Sequence, residues 1–266
     1  MKKQRLDLLV YELGYTDSRE RARTTVMSGL VFVNGQRVDK PGTAVSPDAK
    51  IEVRGEALPF VSRGGFKLDK ALKVFPVDPA GKICLDCGAS TGGFTDVLLQ
   101  HGAAKVYAVD VGYGQLAWKL RTDARVVSLE RTNLRYITSE QIPDPIALAV
   151  MDVSFISIRL VIPAVRQLLT PGADLICLIK PQFEAGREEV GKKGVVRDSA
   201  VHARVIEEIL AFAHAEGLSV QGLDFSPIRG PEGNIEYICH LKNSAEPDRP
   251  VDVQTVVSAS HSELDS

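Results

Sequence analysis

The sequence predicts an α/β protein whose larger part is a doubly wound sheet of seven strands, preceded by a small α/β domain. From residue 82 onward, strand-like and helix-like segments alternate, which is typical of parallel strands joined by helical crossovers. Several strand segments, such as Ile146-Ala-Leu-Ala-Val-Met151, are unbroken apolar runs, as expected for a sheet covered on both faces. The larger part is therefore predicted to be Rossmann-like, with its last strand antiparallel.

Residues 1–54 predict the small domain. Apolar residues recur at helical spacing from Leu6 until Gly14 ends the helix, and a second helix follows. The pair Asn34-Gly35 predicts a tight hairpin, because both residues tolerate the positive φ angles of such a turn. A further strand is predicted at Ile51-Glu-Val53.

Residues 55–62 contain a proline and have weak periodicity, which predicts a linker to a second domain at 63–243. Residues 244–266 are polar and irregular, and we expect a disordered tail there. The predicted strands of the second domain are 82–87, 105–110, 125–129, 146–152, 173–180, 218–226 and 234–241. The predicted helices between them are 93–101, 114–121, 155–169 and 199–216.

Composition excludes some classes of protein. A net charge of −2 over 266 residues excludes a globally basic nucleic-acid binder, although not a local basic face. No secretion signal and no apolar run of membrane-spanning length is present, so we expect a cytoplasmic monomer without a membrane partner. Cys84 and Cys87 form a C-x-x-C without a second such pair or a histidine pair, so we expect structural cysteines and no metal.

The segment Asp86-Cys-Gly-Ala-Ser-Thr-Gly-Gly-Phe94 predicts a cofactor site, because ligands of doubly wound sheets bind at the carboxyl ends of the strands. Asp110 ends the next strand and can accept hydrogen bonds from ribose hydroxyls. A dinucleotide loop needs G-x-G-x-x-G to admit a pyrophosphate, whereas this loop is G-x-x-x-G-G after an acid. Asp86 would repel a pyrophosphate but can bind an amino group, which favours S-adenosylmethionine over a nicotinamide cofactor.

Two further candidates, Glu130 and Asn133, follow the third strand and could serve the adenine and ribose side or simply form a solvated loop. The candidate cofactor residues are Asp86, Gly88, Ala89, Ser90, Gly92, Gly93, Phe94, Thr95, Asp110, Val111, Glu130 and Asn133.

Four charged residues are candidates for catalysis. Asp152 and Lys180 end the fourth and fifth strands, Glu236 lies near the start of an antiparallel last strand, and Lys67 lies on a helix that can reach over the site. A ribose hydroxyl must lose its proton as it attacks a methyl carbon, and a lysine accepts that proton only if its pKa is depressed. A sulfonium and a second lysine would depress the pKa, and the acids would oppose that change.

A local basic face is predicted on the small domain, because Arg19 and Arg23 lie one helical turn apart. An ordinary solvated face is the alternative interpretation. The candidate RNA-binding residues are Lys2, Lys3, Arg5, Arg19, Arg23 and Arg63.

The second domain resembles the FtsJ-like ribose 2′-O-methyltransferases, whose Lys-Asp-Lys-Glu set matches Lys67, Asp152, Lys180 and Glu236. The first resembles the RNA-binding domain of a small-subunit ribosomal protein, through residues such as Arg5-Leu-Asp7 and Val33-Asn-Gly35. Together they resemble the TlyA family, often labelled haemolysins. The resemblance implies 2′-O-methylation of a cytidine in ribosomal RNA. Two alternatives are a non-catalytic RNA-binding or ribosome-assembly protein, in which the four residues would not converge, and a pore-forming haemolysin.

Overall fold

A computed structural model of the protein describes residues 3–16, 18–54 and 59–264. It has a small N-terminal domain and a larger α/β domain. Candidate residue Lys2 and residues 55–58 of the predicted linker lie outside the described residues. The linker residues Phe60 and Val61 are buried against the larger domain, and the Val61 amide donates to Asp96 Oδ2 at 2.8 Å.

The small domain packs two helices against a three-stranded antiparallel sheet of order β3-β2-β5. The predicted hairpin is confirmed, with φ of 50° at Asn34 and 80° at Gly35. The buried apolar core includes Leu6, Val10 and Val26. The elements are β1 (Gln4–Arg5), α1 (Leu6–Glu12), α2 (Arg19–Met27), β2 (Val31–Val33), β3 (Gln36–Arg37), β4 (Ala44–Val45) and β5 (Ile51–Val53).

The larger domain is built on one seven-stranded sheet of order β11-β12-β10-β9-β6-β7-β8, which confirms the predicted fold class. Strand β12 is antiparallel to both of its neighbours, and the other pairings are parallel. The start of β12 therefore lies at the edge where the parallel strands end. The strands are β6 (Ile83–Cys87), β7 (Lys105–Val109), β8 (Val126–Leu129), β9 (Ile146–Met151), β10 (Leu169–Ile179), β11 (Ser219–Phe225) and β12 (Tyr237–Lys242).

Helices cover both faces of this sheet, and buried apolar side chains pack on each face. The helices are α3 (Gly65–Val74), α4 (Gly93–Gln100), α5 (Trp118–Arg121), α6 (Ile162–Arg166), α7 (Pro181–Glu184), α8 (Ser199–Ala215) and α9 (Val253–Leu264). All four cysteines are buried and free, and burial raises the pKa of the Cys84 thiol to about 12, as expected for structural residues.

Three predictions about helices were wrong. The helix predicted at 155–169 is a 3-10 turn followed by the short α6, because Phe155 has a positive φ of 63° and Pro163 can lie only in the first turn of a new helix. The helix predicted from residue 114 begins only at Trp118, since Gly114 has a φ of 69°. The predicted disordered tail contains α9, which buries Val257 against the sheet domain.

Candidate active site

The loop between β6 and α4 is held tightly against the end of β9. Gly88 and Gly92 have φ angles of 85° and 95°. A Cβ at Gly88 would lie 2.8 Å from the carbonyl oxygen of Asp152, and one at Gly92 would lie 2.2 Å from a methyl carbon of Leu120. The loop therefore needs glycine for both its conformation and its close approach to its neighbours, and its residues 88–91 line an open cavity.

Asp86 is completely buried at the end of β6. Its Oδ2 accepts a hydrogen bond from Thr95 Oγ1 at 2.6 Å, whereas its Oδ1 has no partner among the described residues. Burial raises the pKa of this carboxyl to about 7. A buried acceptor without a donor costs free energy, so Asp86 is suited to a cationic donor such as an amino group.

Two other predicted cofactor residues, Asp110 and Glu130, have partners within the protein. Asp110 fixes the glycine loop, because its Oδ2 accepts from the Ser90 amide at 2.8 Å and its Oδ1 from the Gly112 amide at 2.7 Å. Glu130 pairs with Arg121.

The two remaining candidates are Asn133 and Val111. Asn133 accepts from the Arg135 amide at 3.1 Å and thus caps a local turn. Val111 is 68% exposed. Of the predicted cofactor residues, Gly88, Ala89, Ser90, Gly93 and Phe94 line the cavity, whereas the described lining does not include Asp86, Gly92, Thr95, Asp110, Val111, Glu130 or Asn133.

The four candidate catalytic residues converge. Lys67 Nζ lies 3.2 Å from Asp152 Oδ2 and 2.6 Å from Glu236 Oε2. Lys180 Nζ lies 2.5 Å from Asp152 Oδ1 and 3.0 Å from Ser154 Oγ. Lys67 lies on α3, and Asp152 and Lys180 directly follow β9 and β10. Glu236 directly precedes β12, so the antiparallel direction of β12 brings it to this edge.

Burial and charge set the protonation of this cluster. Burial alone would lower the pKa of Lys67, but the charges of Asp152 and Glu236 outweigh it and raise the pKa. Burial alone would raise the pKa of Asp152, but Lys67 and Lys180 hold it below its usual value. The raised pKa favours the charged form of Lys67, and the expected depression of a lysine pKa beside a bound sulfonium stays a prediction.

A cavity of about 530 Å³ opens onto the cluster, and Arg63 also lines it. Sequence reasoning missed several lining residues. Four of them lie within the motifs that contain Asp152 and Lys180, whereas a larger group, residues 228–232 and 234, precedes Glu236. Gln182 Nε2 donates to Glu236 Oε1 at 3.5 Å, and Phe155 is 91% exposed at the rim. Met27, at the end of α2, brings the small domain to the same cavity.

The predicted basic residues of the small domain divide into two groups. Arg5 binds the buried carboxylate of Asp7 through two hydrogen bonds of 2.9 Å, and Arg19 lies 3.9 Å from the same carboxylate. Arg23 and Lys3 are exposed without an ion-pair partner among the described residues.

Arg5, Arg19 and Arg23 also line a groove between the domains, which contains Trp118 as well. Glu20 joins the domains there, because its Oε1 accepts from the Trp118 amide at 2.6 Å.

The sheet order and the glycine loop at the end of strand β6 define a methyltransferase fold of the Rossmann-like class. A family model described as FtsJ-like methyltransferase matches residues 60–243, and one described as S4 domain matches residues 4–51.

Individual relatives agree with these matches. The protein YqxC of Bacillus subtilis is 55% identical over 244 residues, covering 90% of this chain and 86% of the relative. The 16S/23S rRNA (cytidine-2′-O)-methyltransferase TlyA of Mycobacterium tuberculosis is 43% identical over 261 residues, covering 98% and 97%. A solved structure from Streptococcus thermophilus has 48% identity and a TM-score of 0.80, covering 100% and 98%. The chain therefore belongs to the FtsJ-like methyltransferases and, among them, to the TlyA family.

Proposed function

We propose that this protein transfers a methyl group from S-adenosylmethionine to the ribose 2′-hydroxyl of a nucleotide, a cytidine, in ribosomal RNA. The observation that carries the proposal is the buried cluster of Lys67, Asp152, Lys180 and Glu236 beside the glycine loop. The name of the M. tuberculosis relative supplies the cytidine, the hydroxyl and the ribosomal RNA.

The residues of the loop fit the proposed cofactor. The unpartnered Oδ1 of Asp86 is suited to the amino group of the methionine part, and the backbone of residues 88–91 lines the cavity. The free amides at the start of α4 favour its carboxylate. We assign the ribose hydroxyls to Asp110, because it follows β7 at the same sheet edge and each of its oxygens keeps a lone pair beside the amide hydrogen bond that it accepts. When bound, the cofactor supplies an electrophilic methyl group on a sulfonium.

The cluster would orient the hydroxyl and receive its proton. Lys67 contacts two carboxylates and Lys180 contacts one, so we assign proton acceptance to Lys180 and charge stabilisation to Lys67. Asp152 lies between both lysines and holds their amines in place. Glu236, which is 1% exposed, keeps Lys67 charged.

Phe155 offers a surface for the base of the target nucleotide. Its ring is 91% exposed, lies at the rim of the cavity and packs on Phe183 with centroids 5.2 Å apart. Because the lysines are buried, the target nucleotide would have to leave its helix to reach them. Stacking on an aromatic ring would hold the nucleotide in that position.

The test is mass spectrometry of ribosomal RNA from cells with and without the protein. A single cytidine that loses 14 mass units on its ribose in the deletion strain would support the proposal and identify the subunit. Identical nucleotide masses in both strains, with the protein expressed in the parent, would refute it.

The two alternatives are weaker. A non-catalytic RNA-binding protein does not require two lysines and two acids to converge. Here Lys67 lies within 3.2 Å of two carboxylates, and Lys180 lies 2.5 Å from one of them. For a pore-forming haemolysin, the described part of the chain offers no helix that is both long and apolar enough to cross a bilayer.

A further inference from the structure

A second groove adjoins the active-site cavity. It encloses about 870 Å³ and shares Phe155, Gln182, Phe183 and Val190 with the cavity. The described lining of this second groove contains no residue of the small domain. On its other side, the active-site cavity shares Met27 and Thr91 with the groove between the domains. The cavity is therefore continuous with two grooves, of which only one lies beside the small domain.

This second groove exposes large apolar side chains. Phe155 adopts a left-handed backbone conformation with a φ of 63°, which is costly for an aromatic residue, and keeps its ring in solvent. Leu160, which is 50% exposed, lines the same groove, and Tyr136, 68% exposed, follows the lining residue Arg135. Such an exposed apolar and aromatic surface beside a cavity is typical of a binding site.

The groove is also bordered by cations. Arg135 and Arg187 line it, and Lys192, Lys193 and Arg197 follow on an exposed segment that begins at its rim. Within the described chain, none of these five has an ion-pair partner.

The neighbouring acids do not cancel this charge. Glu189 is bound by Arg204, and Glu184 accepts from Ser157 Oγ at 2.6 Å. Glu188 is exposed, which leaves the border of the groove with an excess of positive charge.

We infer that this groove binds the single-stranded RNA that flanks the target nucleotide, an inference that rests on the proposed function. Unstacked bases can lie on Phe155 and Phe183, and the cations can contact the phosphates. A base-paired flank would hide the faces of its bases from these rings. The RNA would thus cross the active site, with a folded part on the small domain and an unpaired part in this groove.

The variant Arg187→Gln/Lys192→Gln/Lys193→Gln tests the inference. The control Lys73→Gln/Lys242→Gln/Arg249→Gln removes the same charge from residues that line neither groove. We expect the first variant to raise the KM for ribosomal subunits about tenfold, with kcat and cofactor affinity unchanged. Removal of three phosphate contacts should also reduce the slope of log affinity against log salt by about 2 for a single-stranded 12-nucleotide RNA.

Affinity for a 12-base-pair RNA duplex should be the same in both variants and the wild type. Equal weakening of single-stranded and duplex binding would overturn the assignment to an unpaired strand, and so would a wild-type KM and salt slope in the first variant. Absence of methylation by the wild-type protein would instead refute the proposed function, and the oligonucleotide measurements would still decide whether the groove binds RNA.

Discussion

At the scale of the residue, Asp86 combines a cost in stability with the binding role that we propose for it. Its pKa is raised to about 7 by burial, so the folded protein holds this proton more strongly than the unfolded chain does. Asp86 therefore destabilises the fold increasingly as the pH rises from about 4 to about 7, and this cost stays constant above that pH.

We expect Asp86→Asn to stabilise the cofactor-free protein by about 1–3 kcal/mol at pH 8 and by much less at pH 5. Its affinity for S-adenosylmethionine should fall at least tenfold, because an amide does not neutralise the amino group. Urea denaturation at both pH values and calorimetry measure the two effects. Asp96→Asn is the control: Asp96 is equally buried but is paired with Lys119, so its loss should lower stability and leave cofactor affinity intact. Equal stability changes at pH 5 and pH 8 for Asp86→Asn would contradict the argument.

Lys180 is the residue whose loss should separate catalysis from binding. We expect Lys180→Ala to reduce kcat by about a thousandfold or more, because the hydroxyl loses its proton acceptor, while cofactor affinity stays within about threefold. Single-turnover methylation of ribosomal subunits and calorimetry measure these values. Lys73→Ala, which removes an exposed lysine outside the cavity, serves as the control. Methyl transfer at the wild-type rate by Lys180→Ala would remove this residue from the mechanism.

At the scale of the element, unbroken apolar runs predicted several of the seven strands, because a strand buried on both faces is mostly apolar. The same reasoning predicted that Asp152, Lys180 and Glu236 would share an edge, since strand direction alone decides this. The breaks near Phe155 and Pro163 were missed, because a run of apolar residues does not reveal a positive φ. The local partners of Glu130 and Asn133 were also missed, since they depend on the path of the loops.

The C-terminal helix α9 was missed because residues 245–252, before it, are polar and irregular. The helix buries Val257, and Ser260 Oγ lies 3.0 Å from the hydroxyl of Tyr237, the residue after Glu236. We expect truncation after residue 252 to lower the stability by about 2–4 kcal/mol, because the apolar face under α9 becomes exposed. Thermal denaturation measures this, with a truncation after residue 264 as the control. An unchanged Tm for the shorter chain would show that α9 does not support the domain.

At the scale of the whole molecule, the two domains meet beside the active site. The Glu20 carboxylate accepts from the Trp118 amide, and Met27 lines the cavity with the glycine loop. RNA bound by the small domain would therefore lie close to the cluster. The arginines of this domain nevertheless differ in their roles, because the structure already engages some of them.

Arg23 and Arg5 show this difference most clearly. Burial alone would raise the pKa of Asp7, but the two hydrogen bonds from Arg5 keep it below its usual value, so the pair stabilises the domain above the unfolded pKa of about 4. We expect Arg5→Gln to lower the Tm at pH 7, with a loss that becomes smaller as the pH falls below the unfolded pKa of about 4 and the Asp7 carboxylate is protonated. Arg23→Gln should leave the Tm unchanged and raise the KM for ribosomal subunits several-fold, with the increase disappearing at high salt. Differential scanning calorimetry and methylation kinetics at two salt concentrations distinguish the two outcomes, and a fall in Tm for Arg23→Gln would place that residue with Arg5 in the structure of the domain.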